Sequence, residues 1–187
     1  MDRRAVVLVE GESDRNAVLT LAGRLGRDLA AEGIEVRAMG GATNVDRHLA
    51  ELAGWPDVEV CGLYDEAEER FFARALERHG FGADPDRARL RGLGFHCCVE
   101  DLEDELIRVL GVERVLAIVG AEGEERAWER FRQMPHQRDR APHEQLRRFL
   151  GTKSGRKIRY GGLLAGALDL DRLPAPLRAL MRDLRPW

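Results

Sequence analysis

Apolar residues run unbroken from Ala5 to Val9, three of them β-branched, and the run stops at a carboxylate, Glu10. Such a run predicts a strand covered on both faces, as in a parallel sheet flanked by helices. Gly11 then turns the chain, and Val18, Leu21, Ala22, Leu25 and Leu29 recur at three- and four-residue steps, which predicts a helix over 13–29. The same alternation repeats. Ile34 to Met39 reads as a strand, and Thr43 or Asn44 caps a helix carrying Val45, Leu49 and Leu52 inward. Val58 to Tyr64 is a third strand, followed by a helix over 66–79. Residues 80–91 read as a loop, and Gly94 to Val99 is a fourth strand, followed by a helix over 101–111 that stops at Gly111. After Gly111 the strand signal fades. Helices are expected over 112–119, 122–133, 143–150 and 177–184, with a polar, exposed stretch over 134–142 and a basic segment leading into a small-residue helix after Gly151.

Strands alternating with helices predict an α/β fold: a mainly parallel, Rossmann-like sheet of about four strands with a helical C-terminal extension. With 187 residues one domain is the natural size, divided as an α/β core over 1–111 and a helical, basic segment over 112–187 packed on the same domain. No apolar run approaches the ~20 residues of a membrane helix, and no secretory signal is visible, so a cytoplasmic location is expected. Cys61, Cys97 and Cys98 form no even disulfide framework and no C-x-x-C pair, which fits reduced thiols and argues against a zinc site.

The net charge of −3 hides an asymmetry: residues 126–187 carry 15 Lys+Arg against 6 Asp+Glu, and the rest of the chain 15 against 27. Acids can hold a divalent cation and bases can attract phosphates, although most surface charges only solvate helix faces. The acids are not scattered. Three predicted strands end in them, at Glu10, Asp65 and Glu100–Asp101, and each is followed by further acids in the first helical turn: Asp14, Glu68 and Glu103–Asp104. In a parallel sheet those strand ends share one edge, where α/β proteins bind ligands. Carboxylates crowded there repel one another unless a proton or a hard cation sits between them, and Mg²⁺ or Mn²⁺ suits an all-oxygen set.

VLVEGESD followed by a helix, then GLYDEAEE, then VEDLEDELI, resembles the Toprim (topoisomerase–primase) domain, most closely that of OLD-family (overcoming lysogenization defect) nucleases. The tail RKIRYGGLLAGAL resembles the C-terminal segment of such domains. The resemblance implies phosphodiester chemistry with Mg²⁺ or Mn²⁺. Glu10 and Asp14 would bind one metal, Asp65 matches the first Asp of a D-x-D motif, and Glu103 matches the glutamate of the later acidic motif. Lys157 matches the basic residue placed near the scissile phosphate, with Lys153, Arg156 and Arg159 as neighbouring nucleic-acid contacts. The chain departs from the pattern at Ala67, which stands where D-x-D has its second Asp. Glu68, one helical turn from Asp65, is the candidate to replace it, and a second metal depends on it. No G-x-x-x-x-G-K-[ST] occurs, so any ATPase is expected to be a separate protein.

The sequence therefore predicts a metal-dependent DNA nuclease, with catalytic Glu10, Asp65 and Lys157 and metal ligands Glu10, Asp14, Asp65, Glu68 and Glu103. The alternatives are a non-catalytic Toprim module that binds nucleic acid or a protein partner, and, less favoured, a receiver-like phospho-acceptor at Asp65. Tyr160 and Trp187 are aromatic residues with stacking capacity, for which packing is the simpler role. The five histidines show no ligand spacing and read as structural or exposed.

Overall fold

The computed structural model of the chain describes residues 5–184, apart from Pro56, Asp84 and the side chain of Ser154. Trp187 lies outside the described residues. Four strands, β1 (Ala5–Val9), β2 (Ile34–Ala38), β3 (Glu59–Asp65) and β4 (Phe95–Cys98), form one sheet in the order β2-β1-β3-β4, with every neighbouring pair parallel. β1 and β3 are interior. Each residue of β1 is buried, as an unbroken apolar run requires. The pairing sets Leu8 beside Gly62 and Asp65 beside Cys98, so the carboxyl ends of β1, β3 and β4 lie along one edge.

The pleat sends alternate residues to two cores. Val7, Val9, Ile34, Val36, Leu63 and Cys98 face a large cluster. It is completed by α1 (Glu12–Arg24), α5 (Leu102–Leu110), α6 (Val112–Ala121), α7 (Glu125–Arg132), α8 (Pro142–Leu150), α9 (Ser154–Ala167) and α10 (Ala175–Asp183). Val6, Leu8, Tyr64 and Phe95 face a smaller cluster under α2 (Val45–Leu52), α3 (Glu69–Arg78) and α4 (Arg87–Gly92). The C-terminal helices thus belong to the same core as β1 and α1.

Five sequence expectations differ in detail. α1 ends at Arg24 rather than Leu29, because Gly26 adopts φ +75° and Arg27 N–H turns back to the Ala22 carbonyl. Leu29 still reaches the core from the following turn. The stretch 80–91 is not all loop. Asp86 accepts a hydrogen bond from Arg89 N–H and starts α4, which buries Leu90 completely. The acids after β3 lie in a 3₁₀ turn, Glu66–Glu68, before α3 begins. Helix α7 starts at Glu125, after Gly123 breaks the chain at φ +71°. Within the exposed 134–142 stretch, Gln137 is buried and its carbonyl accepts from Gln145 Nε2.

The tightest helix pair is α1 with α9. The small residues of α9 make this possible: a Cβ on Gly161 would lie 2.4 Å from the Ser13 carbonyl oxygen. Asn16 Nδ2 donates to the Ile158 carbonyl at 3.2 Å, and Arg24 donates to the carbonyls of Ala165 and Leu168, so side chains of α1 satisfy backbone groups of α9. Gly161→Ala is expected to destabilise the chain by about 1–3 kcal/mol in urea denaturation, the cost of overpacking, despite a gain of up to ~1 kcal/mol in helix propensity. An unchanged or higher midpoint would show that α9 does not approach α1 this closely.

Candidate metal centre

Because β1 and β3 are parallel neighbours, the residues that end them emerge side by side. Glu10 follows β1 directly, and Asp65 is the last residue of β3. Asp14 lies in the first turn of α1 and is 8% exposed, with one oxygen accepting the Gly11 N–H at 2.8 Å. Glu103, in the first turn of α5, is 3% exposed. Its Oε1 accepts from the Ser13 hydroxyl at 2.6 Å, and its Oε2 lies 3.2 Å from Lys157 Nζ. Asp101 caps α5 through the Asp104 N–H at 2.8 Å and accepts from Arg147 Nε at 2.8 Å.

These groups feel one another. Burial, then the Glu103 charge, push the Asp14 carboxyl up to about 7, with Glu10 adding to the rise and Gly11 N–H and Lys157 opposing it. Asp65 is raised further still, first by burial and then by the charges of Asp14, Glu10, Asp101 and Glu103. For Lys157, burial favours the neutral amine, but Glu103, then Asp14 and Asp101, outweigh it, and the ammonium is held more firmly than usual. Five carboxylates from β1, α1, β3 and α5 are therefore electrostatically one group, faced by one lysine from α9.

The donor set fits a hard divalent cation: all its members are carboxylates, and two of them hold protons more tightly than an isolated acid. Among the described residues, no three His, Cys, Asp or Glu side chains already stand in ligand geometry about a common point. Protein donors hold several of the oxygens instead: Gly11 N–H, Ser13, Lys157, Asp104 N–H and Arg147.

The structure thus gathers Glu10, Asp14, Asp65, Glu103 and Lys157. It does not tie Glu68 to them. That side chain is half-buried at the end of the 3₁₀ turn and, among the described residues, makes no hydrogen bond or ion pair, while Ala67 is exposed. The basic stretch divides. Lys153 is exposed just before α9. Arg156 is buried, forked onto Glu124 at 2.9 and 3.1 Å and laid over the Phe149 ring, so its place is in the scaffold rather than on a nucleic-acid surface. Arg159 is exposed but pairs with Glu122 and Glu124. Tyr160 is fully buried and packs in the core. His96, also buried, pairs with Asp183 at 2.8 Å. Cys61, Cys97 and Cys98 are free thiols.

Sequence reasoning passed over Ser13 and Arg147, and named Asp101 as a strand-end acid without singling it out from its neighbours. Ser13 sat inside the EGESD motif, and its burial against α9 carries no local signal. Asp101 reads as one of five adjacent acids until its coupling to Asp65 is seen. Arg147 bonds Asp101 and Glu100, the latter held at φ +66°, from a helix 46 residues away, which no spacing rule reveals.

Residues 3–66, which hold β1, α1, β2, α2 and β3, match the family model for the overcoming lysogenization defect protein-like Toprim domain. Nearly the whole chain shares its fold with solved C-terminal regions of OLD proteins. The region from Xanthomonas campestris pv. campestris superposes with a TM-score of 0.71 at 23% identity, covering 96% of this chain and 93% of that one. The region from Burkholderia pseudomallei gives 0.70 at 20% identity, covering 97% of both. No curated protein matches the chain at a significant level. The match to the OLD-like Toprim model is confined to residues 3–66, and the likeness to those C-terminal regions is one of fold.

The raised carboxyls predict a pH dependence. In the unfolded chain these aspartates titrate near ~3.9, so the fold binds their protons more tightly. The stability they contribute is complete below that value and is lost as pH rises through about 7 for Asp14, and higher for Asp65. In EDTA, the thermal midpoint is expected to fall between pH 6 and 9. Asp65→Asn should flatten that fall and raise the midpoint at pH 8 by a few degrees, since ~1 kcal/mol corresponds to ~2–4 °C at this chain length. Parallel profiles for the variant and the unmodified chain would contradict the shared charge.

Proposed function

Taking the chain as an OLD-like Toprim module, we propose that it is a divalent-metal-dependent nuclease hydrolysing phosphodiester bonds of DNA. The observation that carries the reading is the coupling of Glu10, Asp14, Asp65, Asp101 and Glu103 at one sheet edge, beside the ammonium of Lys157. Glu10, Asp14 and Asp65 are the residues to hold Mg²⁺ or Mn²⁺, with Glu103 beside them. When bound, the cation supplies charge stabilisation at the phosphoryl oxygens and the activation of water.

The chain's own groups do the rest. Gly11 N–H fixes Asp14 at the turn, so the acids of β1 and α1 stay on one side of the crevice. Lys157, half-buried and held as the ammonium by Glu103, would neutralise charge developing on a phosphate brought to the acids. Lys153, exposed one turn earlier, extends that positive surface. DNA is the proposed partner, together with an ATPase and a cytoplasmic setting. Among the described residues, no helix is long and apolar enough to cross a membrane.

One observation favours a second reading, a Toprim module that binds nucleic acid without cutting it: Ala67 removes a carboxylate from D-x-D, and Glu68 is not joined to the cluster. Incubation with supercoiled plasmid separates the two. The nuclease reading predicts nicking with Mg²⁺ or Mn²⁺, abolished by EDTA and reduced by about 10²-fold or more in Glu10→Ala, Asp65→Ala and Lys157→Ala. Salt-sensitive DNA binding with no turnover under either metal would establish the non-catalytic module instead.

A further inference from the structure

Ser13 is 4% exposed in the first turn of α1, and its hydroxyl oxygen lies where three elements meet. It is 2.6 Å from Glu103 Oε1 on α5 and 3.1 Å from the Lys157 carbonyl oxygen on α9. A serine carries one hydroxyl proton. The shorter contact, to a carboxylate oxygen, is the one that takes it, because charge-assisted bonds are the stronger.

Tying down Oε1 settles the other oxygen. With the carboxylate plane fixed, Oε2 is buried, accepts no well-aligned hydrogen bond and has the Lys157 ammonium at 3.2 Å. A buried carboxylate oxygen without a donor is costly unless a cation faces it. The close approach of α9 serves this arrangement, since a Cβ on Gly161 would lie 2.7 Å from the Ser13 hydroxyl.

We propose that Ser13 is a positioning residue of the metal centre: by donating to Glu103 Oε1, it fixes the Glu103 carboxylate, and with it the Lys157 ammonium on Oε2, beside the acids that would hold the divalent cation. This rests on the metal-dependent reading above. The competing role is packing alone, and an alanine, which retains the Cβ, separates the two.

Mn²⁺ binding to the full chain, followed without DNA by the electron paramagnetic resonance signal of free Mn²⁺, tests the assignment. Ser13→Ala is expected to weaken binding about 10–100-fold, the usual effect of losing a group that orients a ligand, with near-ultraviolet circular dichroism unchanged. Ser13→Thr, which restores a hydroxyl, is expected to recover most of the affinity. If either variant loses its fold, Ser13→Cys, a weak donor of similar size, takes its place and should bind between the two extremes. Equal affinity in Ser13→Ala and the unmodified chain, or no recovery in a folded Ser13→Thr, would overturn the role of Ser13 and leave the metal reading standing. An unmodified chain that binds no Mn²⁺ would overturn both.

Discussion

Like charges crowded at the carboxyl ends of parallel strands govern this structure. Parallel pairing leaves the chain no freedom to separate Glu10 from Asp65, because both follow interior strands that leave the sheet at the same edge. Two unit charges ~4 Å apart interact by about 4 kcal/mol at an effective dielectric constant of ~20. A handful of acids in such a place must therefore take up protons, gain cations, or both. The raised carboxyls of Asp14 and Asp65 are the first response, and the strengthened ammonium of Lys157 is the second. Lys157 and Arg147 supply two cations against five carboxyl groups, two of which hold their protons more tightly than an isolated acid.

The C-terminal helices take their meaning from that charge. The glycines of α9 let it lie against α1, and this contact carries Lys157 to Glu103 and Ser13. Elsewhere the basic second half of the chain is largely matched within the fold. Arg147 answers Glu100 and Asp101, Arg156 answers Glu124, and Arg159 answers Glu122 and Glu124. The charge asymmetry of the sequence is thus in good part a device for joining α8 and α9 to the acids of α5 and the α6–α7 turn. Lys153 stays exposed just before α9, and Lys157 is half-buried against Glu103.

Much of this was legible beforehand, and for identifiable reasons. The Ala5–Val9 run, the carboxylates at Glu10 and Asp65 and the helical stripe on α1 are local patterns, and local patterns survive folding when they agree with burial. The reading failed where a signal had two meanings. Pro85 and Asp86 look like loop punctuation, yet Asp86 followed by Arg89 N–H is also a helix start. Arg156 looks like a phosphate contact, yet its planar fork suits Glu124 and its face suits Phe149. Ser13 and Arg147 were silent because their partners lie about 90 and 46 residues away.

The OLD-like Toprim match covers β1 to β3, and the shared fold extends through the helices that bring in Lys157. What unites the two is the claim that the acids of β1, α1 and β3 face a common point. Anomalous diffraction from crystals soaked in Mn²⁺ tests that claim most directly. The account predicts a strong anomalous peak at about 2.1 Å from carboxylate oxygens of Glu10, Asp14 and Asp65. A well-ordered crevice with no peak there, or a peak held only by other residues, would contradict it.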